Sequence, residues 1–171
     1  MATEKSVVWR DQSVFLNNTM YIGRVSQASC DIRRKTTNVG GLGGVGNVEV
    51  PTGKVEPIKA QLNFNSLSVA DIRQLTRNDG YVELRMTGTV RVLDTDTGTR
   101  TVGGASTRIK GWVLNPPTPT YSDDPQPYNI EISVLFIEVA DQSGTALLID
   151  IPNGIIEPSG DSGSYGVTIT I

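Results

Sequence analysis

Apolar and polar residues alternate along several stretches of the chain with the period of two that is typical of half-buried β-strands. In the stretch 54–64 the polar residues fall on one face, and the other face consists of Ile58, Ala60, Leu62 and Phe64. Similar alternation predicts strands over 81–93, 100–114, 128–139 and 146–151, and a short alternating stretch ends the chain at 167–171. The pattern therefore predicts a mainly β protein.

Two segments near the N-terminus add further strands. The apolar residues 14–16 and 20–22 flank Asn17-Asn18, a dipeptide that favours a tight hairpin turn. The polar stretch 28–37 is predicted as one strand that runs into a glycine-rich loop tip at 40–46. The second half of the strand 128–139 is apolar on both faces, which predicts burial by neighbouring core or by a partner subunit.

One segment, 68–78, has helical periodicity. Ser68 is a favourable N-cap residue, and Asp71 follows three positions later as in a capping box. Gly80 suits the C-cap position. The apolar stripe of this helix would consist of Val69, Ile72 and Leu75. We therefore predict a single short helix flanking the strands.

Composition narrows the class of protein. A chain of 171 residues fits one domain, and a net charge of -3 is unlike that of a protein that grips DNA phosphates. The single cysteine, Cys30, excludes an intramolecular disulfide. Residues 1–10 lack the apolar core of a signal peptide, and the longest apolar run, Val134–Ile137, is too short to span a bilayer. We expect a protein that is made in a cytoplasm and has no membrane span.

The candidate chemical motifs lack the neighbouring elements or ligands that their chemistry requires. Gly41–Gly46 matches G-x-G-x-x-G, but a strand-like segment broken by Pro51 follows where a dinucleotide site needs a helix. The turn 94–98 lacks the closing acid of a calcium loop. Histidine is absent, which removes the commonest general base and metal ligand. We expect no enzymatic activity, no cofactor and no metal.

Three other residues are candidates for a reactive or ligand-binding site. Cys30 lies beside Asp31 and has no histidine or second cysteine as a partner, so it is interpreted as a small strand residue. Trp9 and Trp112 could stack on a ligand, but strand tryptophans more often belong to a core or an interface.

The order of these elements and several short sequence segments resemble those of the major tail tube protein family of contractile phages and R-type pyocins. The resemblance covers roughly residues 10–158. The segments that carry it are Val14-Phe15-Leu16-Asn17, Tyr21-Ile22-Gly23, the polar strand 31–37 with its glycine-rich loop, the strand 58–64 with the following helix, the turn Asp96-Thr97-Gly98, the strand 130–139 with the turn 141–144, Leu148-Ile149-Asp150-Ile151 and 153–157. The proline-rich stretch 116–127 and the tail 159–171 depart from the family pattern.

The resemblance implies a β-sandwich or half-barrel with one flanking helix. Six such subunits would form a ring whose sheets join into one continuous barrel, and stacked rings would form a tube. The hairpin 38–52 and the N-terminal arm 1–11 would contact the next ring, and 159–171 would be a C-terminal extension. The expected inter-ring residues are Val39, Gly40, Gly41, Leu42, Gly43, Gly44, Val45, Gly46 and Asn47. Asp31 and Glu83 are the expected acids of the lumen.

The same resemblance implies the partners. These would be a tail sheath, a tape measure protein, tail initiator and terminator proteins, and DNA that passes without specific binding. The protein would belong to the virion and assemble in the host cytoplasm. Two alternatives remain open: a tube subunit of a pyocin or type VI-like system, and a β-sandwich binding module that uses Trp9 or Trp112. The absence of histidine and of any catalytic constellation argues against a further alternative, an enzyme that works with carboxylates alone.

Overall fold

A computed structural model describes residues 5–21, 24–40, 46–94, 97–119, 121 and 126–157, and for 5–12 and Asn78 it describes only the backbone. These residues form eleven strands and one α-helix, which confirms the mainly β fold with a single helix. The helix α1 spans Val69–Thr76 and is followed by a 3-10 turn at Asn78–Gly80. The strands are β1 (Lys5–Leu16), β2 (Thr19–Met20), β3 (Val25–Asp31), β4 (Arg34–Val39), β5 (Val48–Val55), β6 (Lys59–Phe64), β7 (Tyr81–Asp94), β8 (Arg100–Val113), β9 (Tyr128–Asp141), β10 (Gly144–Asp150) and β11 (Ile155–Glu157).

Nine strands share one sheet, and β4 and β5 form a separate two-stranded sheet. The main path through the large sheet is β11-β10-β9-β8-β7-β1-β2. β6 pairs with the first half of β9, from Tyr128 to Ser133, and β3 pairs with β6. β10 pairs with the second half of β9. The sheet has free ends and does not close into a barrel within the described chain.

Two compact units can be distinguished along this chain. Unit 1 comprises Met1–Ile22, Glu83–Lys110 and Leu135–Ile171. Unit 2 comprises Gly23–Val82 and Gly111–Val134. The strands β7, β8 and β9 contribute residues to both units, so each unit depends on strands that the other unit also uses.

The core of unit 2 is built around β6. Its alternating residues Ala60, Leu62 and Phe64 are at most 1% exposed, whereas Lys59 and Gln61 are exposed. This confirms the face predicted from the sequence. The other buried apolar residues of the unit are Ile58, Leu75, Val82, Val113, Ile130, Ile132 and Val134. The core of unit 1 consists of Val14, Leu16, Tyr21, Leu84, Val90, Ala105, Ile109, Ile137 and Ile149.

The helix α1 is held at its start by the predicted capping box. The Ser68 hydroxyl accepts a hydrogen bond from the Asp71 backbone N–H, and the Asp71 carboxylate accepts one from the Ser68 backbone N–H at 2.7 Å. The predicted stripe is wrong at one position, because Val69 lies in the first turn and is 68% exposed, whereas Leu75 is fully buried. The helix is capped by Arg77 rather than by Gly80, which ends the 3-10 turn with a φ of +81°.

The stretch 28–37 is two strands rather than the single strand predicted. β3 pairs with β6, whereas β4 pairs with β5 in the separate hairpin. The chain leaves the large sheet at Ile32 and Arg33, where the Arg33 carbonyl accepts a hydrogen bond from Glu56 N at 2.9 Å. Alternation continues through Ile32, so the pattern alone does not mark this break.

The turn at Asn17-Asn18 is confirmed as a two-residue hairpin turn. Both asparagines have positive φ, 46° and 68°, as the turn type requires. Strand β1 thereby turns into β2, with Leu16 opposite Thr19. The proline-rich connection between β8 and β9 contains no strand in its described residues 114–119, 121 and 126–127, and Pro117 within it is buried.

Strand β9 is apolar on both faces because its buried side changes along its length. Ile130, Ile132 and Val134 are buried in unit 2, and Ile137 is buried in unit 1. The buried positions therefore shift from even to odd numbers between Val134 and Ile137, where β9 passes from one unit to the other. The core of this chain accounts for that two-sided pattern.

Candidate assembly surfaces

The hairpin of β4 and β5 is exposed on both faces. From Arg34 to Gly40 and from Gly46 to Lys54 every described residue is exposed, and only Val55 at its base is half-buried. A two-stranded hairpin alone is at best marginally stable in water. Among the described residues, therefore, no segment covers either face of this hairpin.

One face of this hairpin is rich in β-branched residues. Val39 pairs with Val48, and Thr37 pairs with Val50, so these four side chains share a face. The register between β4 and β5 is irregular between Arg34 and Thr36, where the extra residues belong to β5. β4 therefore keeps its alternation, which places Lys35 on the face of Thr37. The valines are 56%, 63% and 41% exposed at positions 39, 48 and 50. We call this set (Lys35, Thr37, Val39, Val48 and Val50) the valine face.

The predicted inter-ring residues lie around the tip of this hairpin. Val39, Gly40, Gly46 and Asn47 are described and exposed. Gly41, Leu42, Gly43, Gly44 and Val45 lie outside the described residues, as do 1–4 of the predicted arm and 159–171 of the predicted extension. Residues 5–11 of that arm belong to β1 and pair with β7 as far as Arg10.

Strand β1 carries a long free edge. On one side it pairs with β7, and on the other only Phe15 and Leu16 pair with β2. From Lys5 to Ser13 the outer edge faces no other strand among the described residues, and the pairing with β7 is irregular between Arg10 and Ser13. A free edge presents unpaired N–H and C=O groups that can add a strand from another chain.

The two predicted lumen acids are each paired with an arginine. Asp31 accepts hydrogen bonds from the Arg33 guanidinium at 3.0 Å, and Glu83 accepts one from Arg108 Nε at 2.8 Å. All four side chains are more than a third exposed, so each pair contributes little to stability. Locally, each acid is neutralised.

A second surface, which the sequence did not indicate, lies on β9, β10 and β11. Leu148 faces Glu138 on one neighbouring strand and Glu157 on the other. Two residues further along, Asp150 faces Phe136 and Ile155 in the same way. Directly opposed residues share a face, so these six side chains lie together. We call this set (Phe136, Glu138, Leu148, Asp150, Ile155 and Glu157) the acidic face.

Comparison with protein families decides what kind of protein carries these surfaces. The profile of the family described as phage tail tube protein FII matches residues 9–161, which is most of the chain. The chain belongs to this family of phage tail tube proteins. Comparison with the curated proteins gives no match.

As a phage tail tube protein, the chain has a structural role and is a component of the virion. Its family implies that copies assemble into a tube together with other tail proteins. The exposed hairpin and the free edge of β1 are therefore candidate assembly surfaces. Within the described ranges, no helix is long and apolar enough to cross a membrane. Nor do Cys30 and the acidic residues within the described ranges form a group of three that could hold a metal ion.

The aromatic residues considered as a ligand site are only partly brought together. Trp112 packs edge-on against Tyr81, with ring centroids 6.2 Å apart, and both side chains are about two-fifths exposed, at 42% and 40%. Trp9 lies in β1 opposite Val90, and its side chain is outside the described ones. The tail tube protein thus presents one half-exposed aromatic pair in unit 2.

Cys30 is expected to be an unreactive thiol in the folded protein. Burial, with a smaller contribution from the charge of Asp31, raises its pKa from 9.0 to about 11. Because the thiolate is the reactive form, native Cys30 at pH 7 should react with iodoacetamide roughly a hundredfold more slowly than a thiol of ordinary pKa. Native and urea-unfolded protein should be compared from pH 7 to pH 11 by mass spectrometry.

The variant Asp31→Asn separates the two causes. It removes the charge but not the burial, so the pKa of the thiol should fall only part of the way towards its ordinary value. Equal rates for native and unfolded wild-type protein at pH 7 would contradict the assignment of a buried, protonated thiol.

Proposed function

We propose that this chain forms the inner tube of a contractile phage tail by stacking as six-membered rings, and that the tube is the conduit for DNA ejection. The observation that carries the proposal is the β4–β5 hairpin, which is exposed on both faces in a chain that belongs to a tail tube family. A hairpin of this kind gains stability when another molecule covers it. The next ring is the cover that the proposal assigns to it.

The free edges of the large sheet support ring formation. The edge of β1 from Lys5 to Ser13 lies at one end of the sheet, and β11 lies near the other. Head-to-tail pairing of one end with the opposite end in the next copy is a heterologous contact, which forms a ring if the rotation closes. Six copies would join their sheets into the continuous barrel that the resemblance implies, and closure would remove the free edges.

The proposed lumen carries Asp31 and Glu83. Since each acid is paired with an arginine, the wall at these positions presents mixed charge and no basic surplus. Phosphate contacts by unpaired basic residues are what hold DNA. Paired charges therefore fit a wall along which DNA passes without specific binding. The sheath, tape measure, initiator and terminator proteins are the further proposed partners.

Electron microscopy of the purified protein, with size-exclusion chromatography, tests the proposal. We expect six-fold rings or hollow filaments. A protein that stays monomeric even with tail initiator and tape measure proteins present would overturn the proposal. That outcome would favour the binding module, and ligands would then be screened at Trp112 and Tyr81.

Shortening the hairpin tip should abolish stacking and leave the subunit folded. Replacing residues 40–47 by Asn-Gly keeps the pairing of Val39 with Val48, because this dipeptide then closes a two-residue hairpin between them. We expect an unchanged circular dichroism spectrum and thermal midpoint, and no filaments by electron microscopy. A Gly/Ser loop that keeps the original length is the matched variant. Normal filaments from the shortened protein would show that the tip does not join rings.

A further inference from the structure

The valine face and the acidic face have complementary chemistry. The valine face combines exposed apolar surface with one cation, Lys35. The acidic face combines Leu148 and Ile155 with three carboxylates. A specific protein–protein interface typically has an apolar centre, and charges around it face charges of opposite sign on the partner. The two faces together provide the apolar residues and the opposite charges.

The charges on the two faces are not satisfied within the described chain. Among the residues that the structure describes, Lys35 has no acidic partner within ion-pair distance, and neither Glu138 nor Glu157 has a basic one. Within the described ranges, Asp150 accepts hydrogen bonds from Asn153 alone, at 2.7 Å from Nδ2 and 3.2 Å from the backbone N–H. A cation also borders this face: Lys110 Nζ lies 5.2 Å from the centroid of the Phe136 ring. The acidic face therefore keeps an excess of negative charge.

We infer that the valine face of one copy docks on the acidic face of the next copy, with Lys35 placed among Glu138, Asp150 and Glu157. The inference rests on the proposed function and names the surface that the stacking hairpin contacts. Since the two faces lie on different parts of the chain, the contact is heterologous and propagates into an open filament. Such a contact would cover Val39, Val48 and Val50, which are exposed in the described part of the single chain.

Charge exchange tests this contact. Lys35→Glu and Glu157→Lys should each raise the protein concentration needed for filament formation by about tenfold, because like charges would then oppose each other. In the double variant K35E/E157K every contact regains one pair of opposite charges. Its threshold should return to within about threefold of wild type. Pelleting by ultracentrifugation, with electron micrographs of the pellets, measures the threshold.

Arg34→Glu is the matched control. Arg34 is the neighbour of Lys35 in the same strand, is exposed, and points to the opposite face of the hairpin. Arg34→Glu changes the net charge by the same amount as Lys35→Glu. Because its side chain lies on the face away from the proposed contact, it should leave the threshold within about threefold of wild type. An effect of R34E as large as that of K35E would overturn the inference.

The outcomes separate the inference from the proposed function. Filaments from wild-type protein, together with a double variant no better than its single variants, would overturn the docking of these two faces and leave the tube intact. Wild-type protein that forms neither rings nor filaments would overturn the proposed function, and the inference with it. Raised threshold concentrations in the single variants, together with a return towards the wild-type threshold in the double variant, would support the inference and the proposed function.

Discussion

Gly111→Ala is expected to lower the free energy of unfolding by about 3 kcal/mol, because the added methyl group has no space. Gly111 is buried in β8, and a Cβ atom there would lie 2.0 Å from the carbonyl oxygen of Ser133 and 2.9 Å from Cγ2 of Ile132. The first of these atoms belongs to the backbone of β9 and cannot move aside as the end of a side chain can. The methyl group would therefore push β8 and β9 apart in the core of unit 2.

Gly104→Ala in the same strand is the matched control. The nearest atom to a Cβ at Gly104 is Nε2 of Gln142, at 4.0 Å, which is ordinary contact. Its free energy of unfolding should change by no more than about 0.5 kcal/mol, or rise slightly, because alanine restricts the unfolded chain more than glycine. Urea unfolding followed by circular dichroism measures both variants. Equal stability of the two would refute the close approach of β8 to β9 at Gly111.

Asp71→Ala is expected to cost about 2–4 kcal/mol, because one buried carboxylate oxygen organises the start of α1. Oδ2 of Asp71 accepts hydrogen bonds from Ser68 N and Ser68 Oγ, both at 2.7 Å, and from the Arg24 guanidinium at 3.0 Å. The Asp71 side chain is 8% exposed, so water replaces few of these bonds. An eight-residue helix also gains little from propensity alone and depends on its caps and its packing.

Two further variants show where that loss comes from. Asp71→Asn keeps an acceptor oxygen without the charge, so it should lose roughly half as much stability as Asp71→Ala. Glu83→Ala breaks the exposed ion pair with Arg108 and should cost no more than about 1 kcal/mol. Thermal and urea unfolding of the three variants provide the comparison. A loss from Asp71→Ala no larger than that from Glu83→Ala would show that the buried cap does not hold the helix.

Local patterns in the sequence predicted the elements that depend on neighbouring residues. The alternation of Ala60, Leu62 and Phe64 identified the buried face of β6, and Ser68 with Asp71 identified the start of α1. These predictions succeeded because side-chain period and capping are set within a few residues of chain. The pair Asn17-Asn18 succeeded for the same reason, since positive φ at both positions is a local requirement of the turn.

Features that depend on strand pairing could not be predicted from the sequence pattern. The break after Asp31 separates two strands whose partners, β6 and β5, lie in different sheets, and nothing in the alternation marks it. The acidic face depends on a register shift between Thr145 and Leu147, which places Leu148 opposite Glu138. A slip of one residue would turn each side chain of that strand to the other face. No pattern in the sequence fixes that slip.

The candidate site was predicted only in part. The sequence indicated the hairpin around Val39 and Asn47, because glycine-rich stretches between strands are recognisable loop tips. It did not indicate that the strands of the hairpin are themselves uncovered, since Val48 and Val50 alternate as they would in a strand with one buried face. Exposure of both faces is a property of the folded chain.

The free edge of β1 also bears on the supply of subunits before a tail is built. From Lys5 to Ser13 the strand can accept any extended chain of suitable shape, so newly made copies are exposed to wrong partners as well as right ones. The irregularity between Arg10 and Ser13 interrupts the regular row of donors and acceptors that a wrong partner would need. On the proposed ring assembly this edge pairs with the next copy, so the concentration of free subunits must stay low enough that wrong pairing does not come first. Synthesis of the subunit would then have to keep pace with tail growth rather than run ahead of it.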